Sequence, residues 1–143
     1  MQPTAGSVAA HIAGVTPAKR QRDAETLVAL MREISGREPA LWGTIIGFGS
    51  CHYRYPESSA GTEGDMPILA FAPRKAASTI YLDDTGAHAA ALADLGPHST
   101  GASCLYIKDI ELVDAAVLRG ILQSCYDTAV AGGSPGVEIT VTG

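Results

Sequence analysis

The sequence predicts an α+β fold, a two-layer sandwich in which one antiparallel sheet of about five strands is covered by helices mainly on one face. Three observations lead to this prediction. Apolar residues recur at helical spacing near both ends of the chain and alternate with polar residues between them. The links between successive strands are short, which favours antiparallel neighbours. Helices and strands do not alternate along the chain as they do in doubly wound folds.

Length and composition fit a single domain with a substantial core. The chain has 143 residues, of which 46% are hydrophobic and 17% charged. We assign residues 1–130 to the domain. Residues 131–143 are rich in glycine and then alternate between apolar and polar side chains, so they are predicted to be a flexible tail or an added edge strand.

The net charge limits the kinds of partner that the protein can bind, and the cysteines indicate its cellular compartment. A net charge of −5 argues against a nucleic acid or an anionic membrane as partner. No apolar run approaches the roughly 20 residues of a membrane helix, and the start of the chain does not resemble a secretory signal. Three widely spaced cysteines without a CxxC motif favour free thiols in the cytoplasm. We expect a cytoplasmic monomer or weak homodimer.

Helices are predicted where apolar spacing and end signals agree. A first short helix follows Ser7, its predicted N-cap. A longer helix begins at Thr16 as N-cap, with Pro17 in the first turn, and ends at Gly36. A helix over residues 86–96 rests on its alanines and leucines. The last helix covers residues 113–130, with Asp114 as its cap.

Strands are predicted from period-two patterns and from the turn residues between them. Residues 41–49 and 51–55 form successive strands joined near Gly49 and Ser50. A second pair, residues 67–74 and 77–84, turns through "PRKA". A further strand covers residues 103–108. We expect the strands "CHYRY" and "SCLYIK" to belong to one sheet.

An ordered series of short motifs covers nearly the whole domain. It comprises "WG", "GFGSCHYRY", "EGD", "PRK" and "LGPHSTGASCLY". Over roughly residues 7 to 127 this series resembles the YdhG-like family, a bacterial family of domains of unknown function. The chain departs from the family pattern in the turn His98–Ala102, which lacks the two lysines usual there, and at Met66, where an aromatic residue is common.

The resemblance implies a frataxin-like fold, a small antiparallel sheet with helices on one face. It also implies a candidate activity, because some family members are described as iron chaperones. No cofactor is expected from the residues themselves, and iron enters only as what this resemblance implies. The long N-terminal helix mixes acids with five basic residues, unlike the acidic ridge of frataxin-type iron sites.

The segment "CHYRY" is either an ordinary strand or the wall of a binding site. Along a strand, His52 and Arg54 point to the same face, opposite Cys51 and Tyr53. In the structural interpretation they are the polar side of a half-exposed strand. In the functional interpretation they line a groove, where Arg54 can grip a carboxylate or phosphate and His52 can exchange a proton.

Two other stretches are candidates for the same groove. The turn "GPHSTGA" places His98, Thr100 and Gly101 at a sheet edge, where backbone N–H groups can bind an anion if Gly101 adopts positive φ. It lacks the spacing and the lysine of a phosphate loop. Trp42, beside Gly43, is either a core residue or the floor of a pocket.

Metal ligation and catalysis find little support in the sequence. The four histidines show no short metal-binding spacing, and Asp83 and Asp84 form the only tight acidic pair. No nucleophile motif or nucleotide fingerprint is present. We therefore expect a non-enzymatic protein that binds a small anionic ligand or a protein partner at Trp42, His52, Arg54, His98, Thr100 and Gly101. The alternatives are an iron chaperone and an enzyme of unknown reaction using the same groove.

Overall fold

A computed structural model describes all residues, 1–143, as an α+β protein with four helices and two antiparallel sheets. The helices are α1 (Val8–Ala13), α2 (Ala18–Ser35), α3 (Ala89–Ala93) and α4 (Ala115–Val130). The strands are β1 (Pro39–Trp42), β2 (Ile45–Phe48), β3 (Cys51–Arg54), β4 (Glu63–Met66), β5 (Leu69–Pro73), β6 (Ser78–Tyr81), β7 (Ser99–Thr100), β8 (Cys104–Ile107), β9 (Gly133–Ser134) and β10 (Val137–Val141). Short 3₁₀ helices cover Thr85–His88 and Ile110–Leu112. No helix is both long enough and apolar enough to cross a membrane.

The ends of the helices follow local sequence signals. The Ser7 side chain accepts a hydrogen bond from the Ala10 N–H at α1, and the Asp114 carboxylate accepts two from the first turn of α4. Gly36 ends α2 in the left-handed region, at φ 67°. The predicted cap of α2 was one residue off, because Pro17 rather than Thr16 occupies the N-cap position.

The predicted single sheet of about five strands is corrected to two sheets. The large sheet has six strands in the order β1-β2-β5-β6-β8-β7, and the small sheet has four in the order β4-β3-β10-β9. All paired neighbours are antiparallel. The prediction that "CHYRY" and "SCLYIK" share a sheet is wrong, because β3 lies in the small sheet and β8 in the large one.

The chain passes from one sheet to the other at Gly49 and Ser50. Gly49 has φ 70°, a conformation that favours glycine. A Cβ at this position would lie 2.7 Å from Cδ of Arg37 and 2.8 Å from Cδ1 of Ile68. This close approach lets β2 pair with β5 while β3 turns away to pair with β4 and β10.

Helices α2 and α4 pack together and against the large sheet. The main core is built from buried residues of both layers: Leu27, Met31, Ile46, Phe48, Leu69, Phe71, Ile80, Leu105, Ile107, Leu118, Ile121 and Leu122 are among its members. Helix α4 also contacts β9 and β10, where Ala129 joins Cys51 and Ile68 in a smaller cluster. This helix therefore belongs to the cores of both sheets.

Residues 131–143 contain β9 and β10. Strand β10 lies between β3 and β9, inside the small sheet rather than at its edge. Its register places Glu138 opposite Arg54 and Thr140 opposite His52. The last residues of the chain therefore supply one of the two neighbours of the "CHYR" strand.

Candidate metal centre

The predicted site residues His52 and Arg54 are each paired with carboxylates across the small sheet. Nδ1 of His52 lies 2.9 Å from Oδ1 of Asp65, and Nε2 lies 3.1 Å from Oε1 of Glu63. The Arg54 guanidinium donates to Oε2 of Glu138 at 3.0 and 3.1 Å. We call these five side chains the β3 surface. With three acids against two basic residues, this surface does not favour an anionic ligand.

His98, Thr100 and Gly101 lie at the far edge of the large sheet. Nδ1 of His98 lies 2.7 Å from the carbonyl oxygen of Gly96. The Gly101 N–H donates to the carbonyl of Cys104 at 2.8 Å, and Gly101 does not adopt the positive φ that an anion-binding turn was predicted to need. Thr100 is exposed on β7. This stretch forms a turn that leads into the last strand pair.

The structure places the predicted groove residues on different sheets and, within the large sheet, at opposite edges. Five strand spacings separate β1, which carries Trp42, from β7, which carries Thr100, a distance of roughly 24 Å at about 4.8 Å per strand. The β3 surface lies in the other sheet, and no hydrogen bond or ion pair joins it to residues 98–101. Trp42, at the opposite edge on β1, is only 4% exposed and packs over Gly47. Ligand binding by any one of these residues stays a prediction.

A different cluster forms where three separate elements meet. Nε2 of His88 lies 2.7 Å from Oδ1 of Asp83, and Sγ of Cys125 lies 3.3 Å from the same oxygen and 3.5 Å from Nε2. Asp83 follows β6, His88 ends the first 3₁₀ helix, and Cys125 lies on the buried face of α4. Three different ligand types, a carboxylate, an imidazole and a thiol, therefore converge on one point.

Local structure explains how His88 reaches this point. The Asp84 side chain accepts a hydrogen bond from the Gly86 N–H at 3.0 Å and so caps the 3₁₀ helix. This tight turn carries His88 back toward the core, where it is 7% exposed. Cys125, one helical turn after Ile121, continues the apolar face of α4 and is 6% exposed.

Burial and hydrogen bonding set the protonation states of Cys125 and Asp83. Burial raises the pKa of Cys125 to about 12, so the thiol keeps its proton and donates it to Asp83. Burial alone would raise the pKa of Asp83, but hydrogen bonds from His88, the Asp84 N–H and Cys125 outweigh it and lower that pKa. A metal ion bound at Cys125 would have to displace the thiol proton.

The geometry differs from that of a cysteine-based catalytic triad. In a triad the histidine contacts the nucleophile with one ring nitrogen and the carboxylate with the other. Here Asp83 and Cys125 both lie at Nε2 of His88. The carboxylate therefore does not orient the imidazole toward the thiol, and the buried, protonated thiol is a poor nucleophile.

The same distances suit a tetrahedral metal ion. With bonds of 2.0–2.3 Å to nitrogen, oxygen and sulfur, neighbouring ligand atoms of a zinc ion lie roughly 3.3–3.6 Å apart. The two distances to Cys125 are 3.3 and 3.5 Å. The 2.7 Å contact between Nε2 of His88 and Oδ1 of Asp83 is shorter than this range and would have to lengthen around an ion. Asp83, His88 and Cys125 thus offer three types of metal ligand, and two of their three separations fall in the range for one shared ion.

Sequence reasoning missed this centre because its members are distant along the chain. Asp83 and His88 are five residues apart, and Cys125 follows 37 residues later. Only Asp83 carried a signal, as a member of the tight acidic pair, because the histidines and cysteines show no metal-binding spacing. Only the packing of α4 beside the end of β6 joins them.

Comparison of the chain with protein-family models, with curated proteins and with solved structures finds no match. The resemblance to the YdhG-like family and the frataxin-like fold therefore stay predictions. The interpretation of the site rests on its geometry.

Proposed function

We propose that this protein is a non-enzymatic binding protein that holds one divalent transition-metal ion, preferentially Zn²⁺, between Asp83, His88 and Cys125. The observation that carries the proposal is the convergence of three different ligand atoms, from three elements, within 3.5 Å of one another. Two of the three side chains are almost fully buried. Buried polar groups at such spacing are typical of a metal centre or a satisfied hydrogen-bond network, and metal titration distinguishes the two.

The set of ligands favours zinc over iron. Thiolate selects zinc and other soft ions, imidazole suits zinc, copper and nickel, and a single carboxylate completes a mixed set. Fe²⁺ binds the same nitrogen, oxygen and sulfur ligands more weakly than Zn²⁺ does. The iron chaperone that the family resemblance implies remains the alternative, and it predicts the opposite order of affinity.

A cytoplasmic location is part of the proposal, because a reducing compartment keeps Cys125 available as a ligand. An enzyme is the third interpretation. The shared position of Asp83 and Cys125 at one ring nitrogen of His88 favours metal binding over thiol catalysis.

The test is titration of the reduced, metal-free protein with Co²⁺ and Zn²⁺. We expect one equivalent of Co²⁺ to give a sulfur-to-cobalt charge-transfer band, and Zn²⁺ to abolish it by displacement. Cys125→Ser should remove the band. Loss of this ligand should lower affinity by more than the roughly 10–100-fold that removal of an outer hydrogen-bond partner costs.

Cys104→Ser is the matched control, because Cys104 is a half-buried thiol on β8 outside the cluster. It should keep both the band and the stoichiometry. Absence of a stoichiometric site in the native protein, or an unchanged band in Cys125→Ser, overturns the proposal. Anaerobic Fe²⁺ binding tighter than that of Zn²⁺ would favour the iron chaperone.

A further inference from the structure

A depression opens between the loop that joins β3 to β4 and the turn that joins β9 to β10. Its volume is about 420 Å³, which lies within the range of roughly 300–1,000 Å³ for small-molecule sites. Tyr55, Glu57, Ser58, Thr62 and Gly136 line it, and we call it the loop pocket. The loop pocket shares no residue with the proposed metal centre, so a ligand bound there does not depend on a metal.

The loop pocket contains one aromatic ring that is exposed and restrained by a neighbour. Tyr55 is 45% exposed. Its ring centroid lies 6.0 Å from that of Tyr53, with the ring planes at 71°, so the two rings meet edge to face. Tyr53 in turn packs over Gly64, where a Cβ would lie 2.9 Å from the tyrosine hydroxyl oxygen. Contact with Tyr53 therefore restrains the Tyr55 ring that lines the pocket.

The only charged side chain in the lining of the loop pocket is acidic. Glu57 is exposed and forms no ion pair. No lysine, arginine or histidine lines the pocket. The nearest basic residue in the sequence, Arg54, donates to Glu138 instead. An exposed carboxylate without a cationic partner, in a chain of net charge −5, favours a positively charged ligand.

Much of the backbone of this loop is hydrogen-bonded within the loop itself. Three N–H groups, those of Tyr55, Ser58 and Gly61, donate to carbonyl oxygens of the loop at 2.9–3.0 Å. The Ala60 N–H donates to the Ser58 hydroxyl at 3.3 Å, and that hydroxyl lies 3.0 Å from the hydroxyl of Thr62. These four N–H groups are therefore not available to an anion, whereas the carboxylate in the lining remains an open acceptor.

We propose that the loop pocket binds a quaternary ammonium group, with the cation over the ring of Tyr55 and Glu57 as its counter-ion. An aromatic face attracts a cation, and the methyl groups of a quaternary ammonium pack against the ring. Such a cation has no N–H to satisfy, so one carboxylate nearby is sufficient. With one ring and one carboxylate in an open pocket, each contact contributes a modest part of the affinity.

The experiment is NMR titration of the full chain with choline and with its uncharged isostere, in which a tert-butyl group replaces trimethylammonium. Choline should shift the backbone signals of Tyr55 and Glu57 saturably. The isostere should need at least about threefold higher concentration, because it has the same shape without the charge. A short peptide with one trimethylated lysine is the third probe. Tighter binding than that of choline assigns the site to a protein side chain, and equal or weaker binding assigns it to a small molecule.

Three variants test the two contacts, and a fourth is the control. Tyr55→Leu should weaken choline binding about two- to fivefold, whereas Tyr55→Phe, which keeps the aromatic face, should not. Glu57→Gln should weaken it by about two- to fivefold. Glu25→Gln is the matched control, because Glu25 is an exposed acid on α2 outside the pocket and forms no ion pair. It removes the same charge from the chain and should leave choline binding unchanged.

Three results would overturn the proposed ammonium site. In the first, choline leaves the signals of Tyr55 and Glu57 unmoved. In the second, choline and its uncharged isostere bind equally well. In the third, Glu57→Gln and Glu25→Gln weaken binding equally, which would show attraction to the net charge of the chain rather than to the pocket. None of these results bears on the metal centre, which the cobalt titration tests separately.

Discussion

At the scale of single residues, neighbouring side chains decide the chemical state of each titratable group. His52 has a carboxylate at each ring nitrogen, Asp65 on one side and Glu63 on the other. The hydrogen bond to Asp65 is the largest influence and raises the pKa of His52, and the same bond lowers the pKa of Asp65. The two side chains therefore form a hydrogen-bonded contact between β3 and β4.

His52 should titrate above its ordinary pKa of 6.5. Because its folded-state pKa is raised, its contribution to stability is complete below pH 6.5 and is lost as pH rises through the folded value. Asp65 has a lowered pKa, so its contribution is present above its ordinary 3.8 and is lost as pH falls through the folded value. NMR titration of the His52 ring should show the raised pKa, and Asp65→Asn should bring it back toward 6.5. The same His52 titration midpoint in the native protein and in Asp65→Asn would contradict the pairing of His52 with Asp65.

The three cysteines should differ in reactivity. Burial raises the pKa of Cys51 to about 11 and that of Cys125 to about 12, whereas Cys104 is only half-buried. The thiolate is the reactive form of cysteine. In the folded, metal-free protein, one thiol should therefore react rapidly with a disulfide reagent. Cys104→Ser should remove it, and in denaturant without reductant all three should react in the native sequence. A fast thiol that persists in Cys104→Ser, or only one group in denaturant, would refute this.

At the scale of elements, α2 is anchored to the loops beside the large sheet by buried charges. Arg20, 2% exposed, donates to the carbonyl oxygens of Arg74 and Lys108, each at 2.8 Å. Asp23, fully buried, accepts from the Ile110 N–H at 2.9 Å and from the Arg22 guanidinium at 2.9 and 3.1 Å, and lies 3.7 Å from Arg20. These bonds satisfy backbone groups that strand pairing leaves free, and they set the position of the helix on the sheet.

Asp23→Ala should lower the free energy of unfolding by about 3–5 kcal/mol, because it leaves Arg20 buried without its carboxylate neighbour and the Ile110 N–H without an acceptor. Glu33→Ala on the same helix is the control. It breaks an exposed ion pair with Arg119 and should cost at most about 1 kcal/mol. Urea denaturation of the two variants measures both effects. Equal losses would show that the buried pair contributes no more than the exposed one.

At the scale of the whole molecule, α4 and β10 join the two sheets into one structure. Helix α4 contributes Leu122 to the main core and Ala129 to the small cluster beneath β3. Strand β10 pairs with β3 along four residues and helps to cover Cys51, which is fully buried. The small sheet therefore depends on the segment that the sequence suggested as a flexible tail or an added edge strand.

Removal of residues 131–143 tests this dependence, because it leaves the predicted domain 1–130. Loss of β10 exposes one side of β3, so we expect a lower midpoint of urea unfolding. In the Cys104→Ser background, Cys51 should become reactive toward a disulfide reagent. The full-length Cys104→Ser protein is the control, with Cys51 protected. Unchanged stability and a protected Cys51 in the shortened chain would show that 1–130 folds independently of β10.

The sequence by itself determined the features that depend on near neighbours along the chain. The α+β class, the extents of α2 and α4, the caps at Ser7 and Asp114 and the stop at Gly36 all follow from spacing and end signals within a few residues. Helix formation depends on contacts three and four residues apart, and caps on bonds two or three residues apart. Such contacts can be read directly from the order of the residues.

Only the tertiary structure decided how the strands divide into two sheets and which polar side chains meet. The alternating pattern of "CHYR" fits either sheet, and its partner β10 lies more than 80 residues away. The register of β10 on β3 pairs Arg54 with Glu138, whereas His98 precedes β7 in the other sheet. Likewise, Cys125 reaches Asp83 and His88 only because α4 packs beside the end of β6. Pairing between distant segments is chosen by the shape and burial of the whole core, which no local pattern encodes.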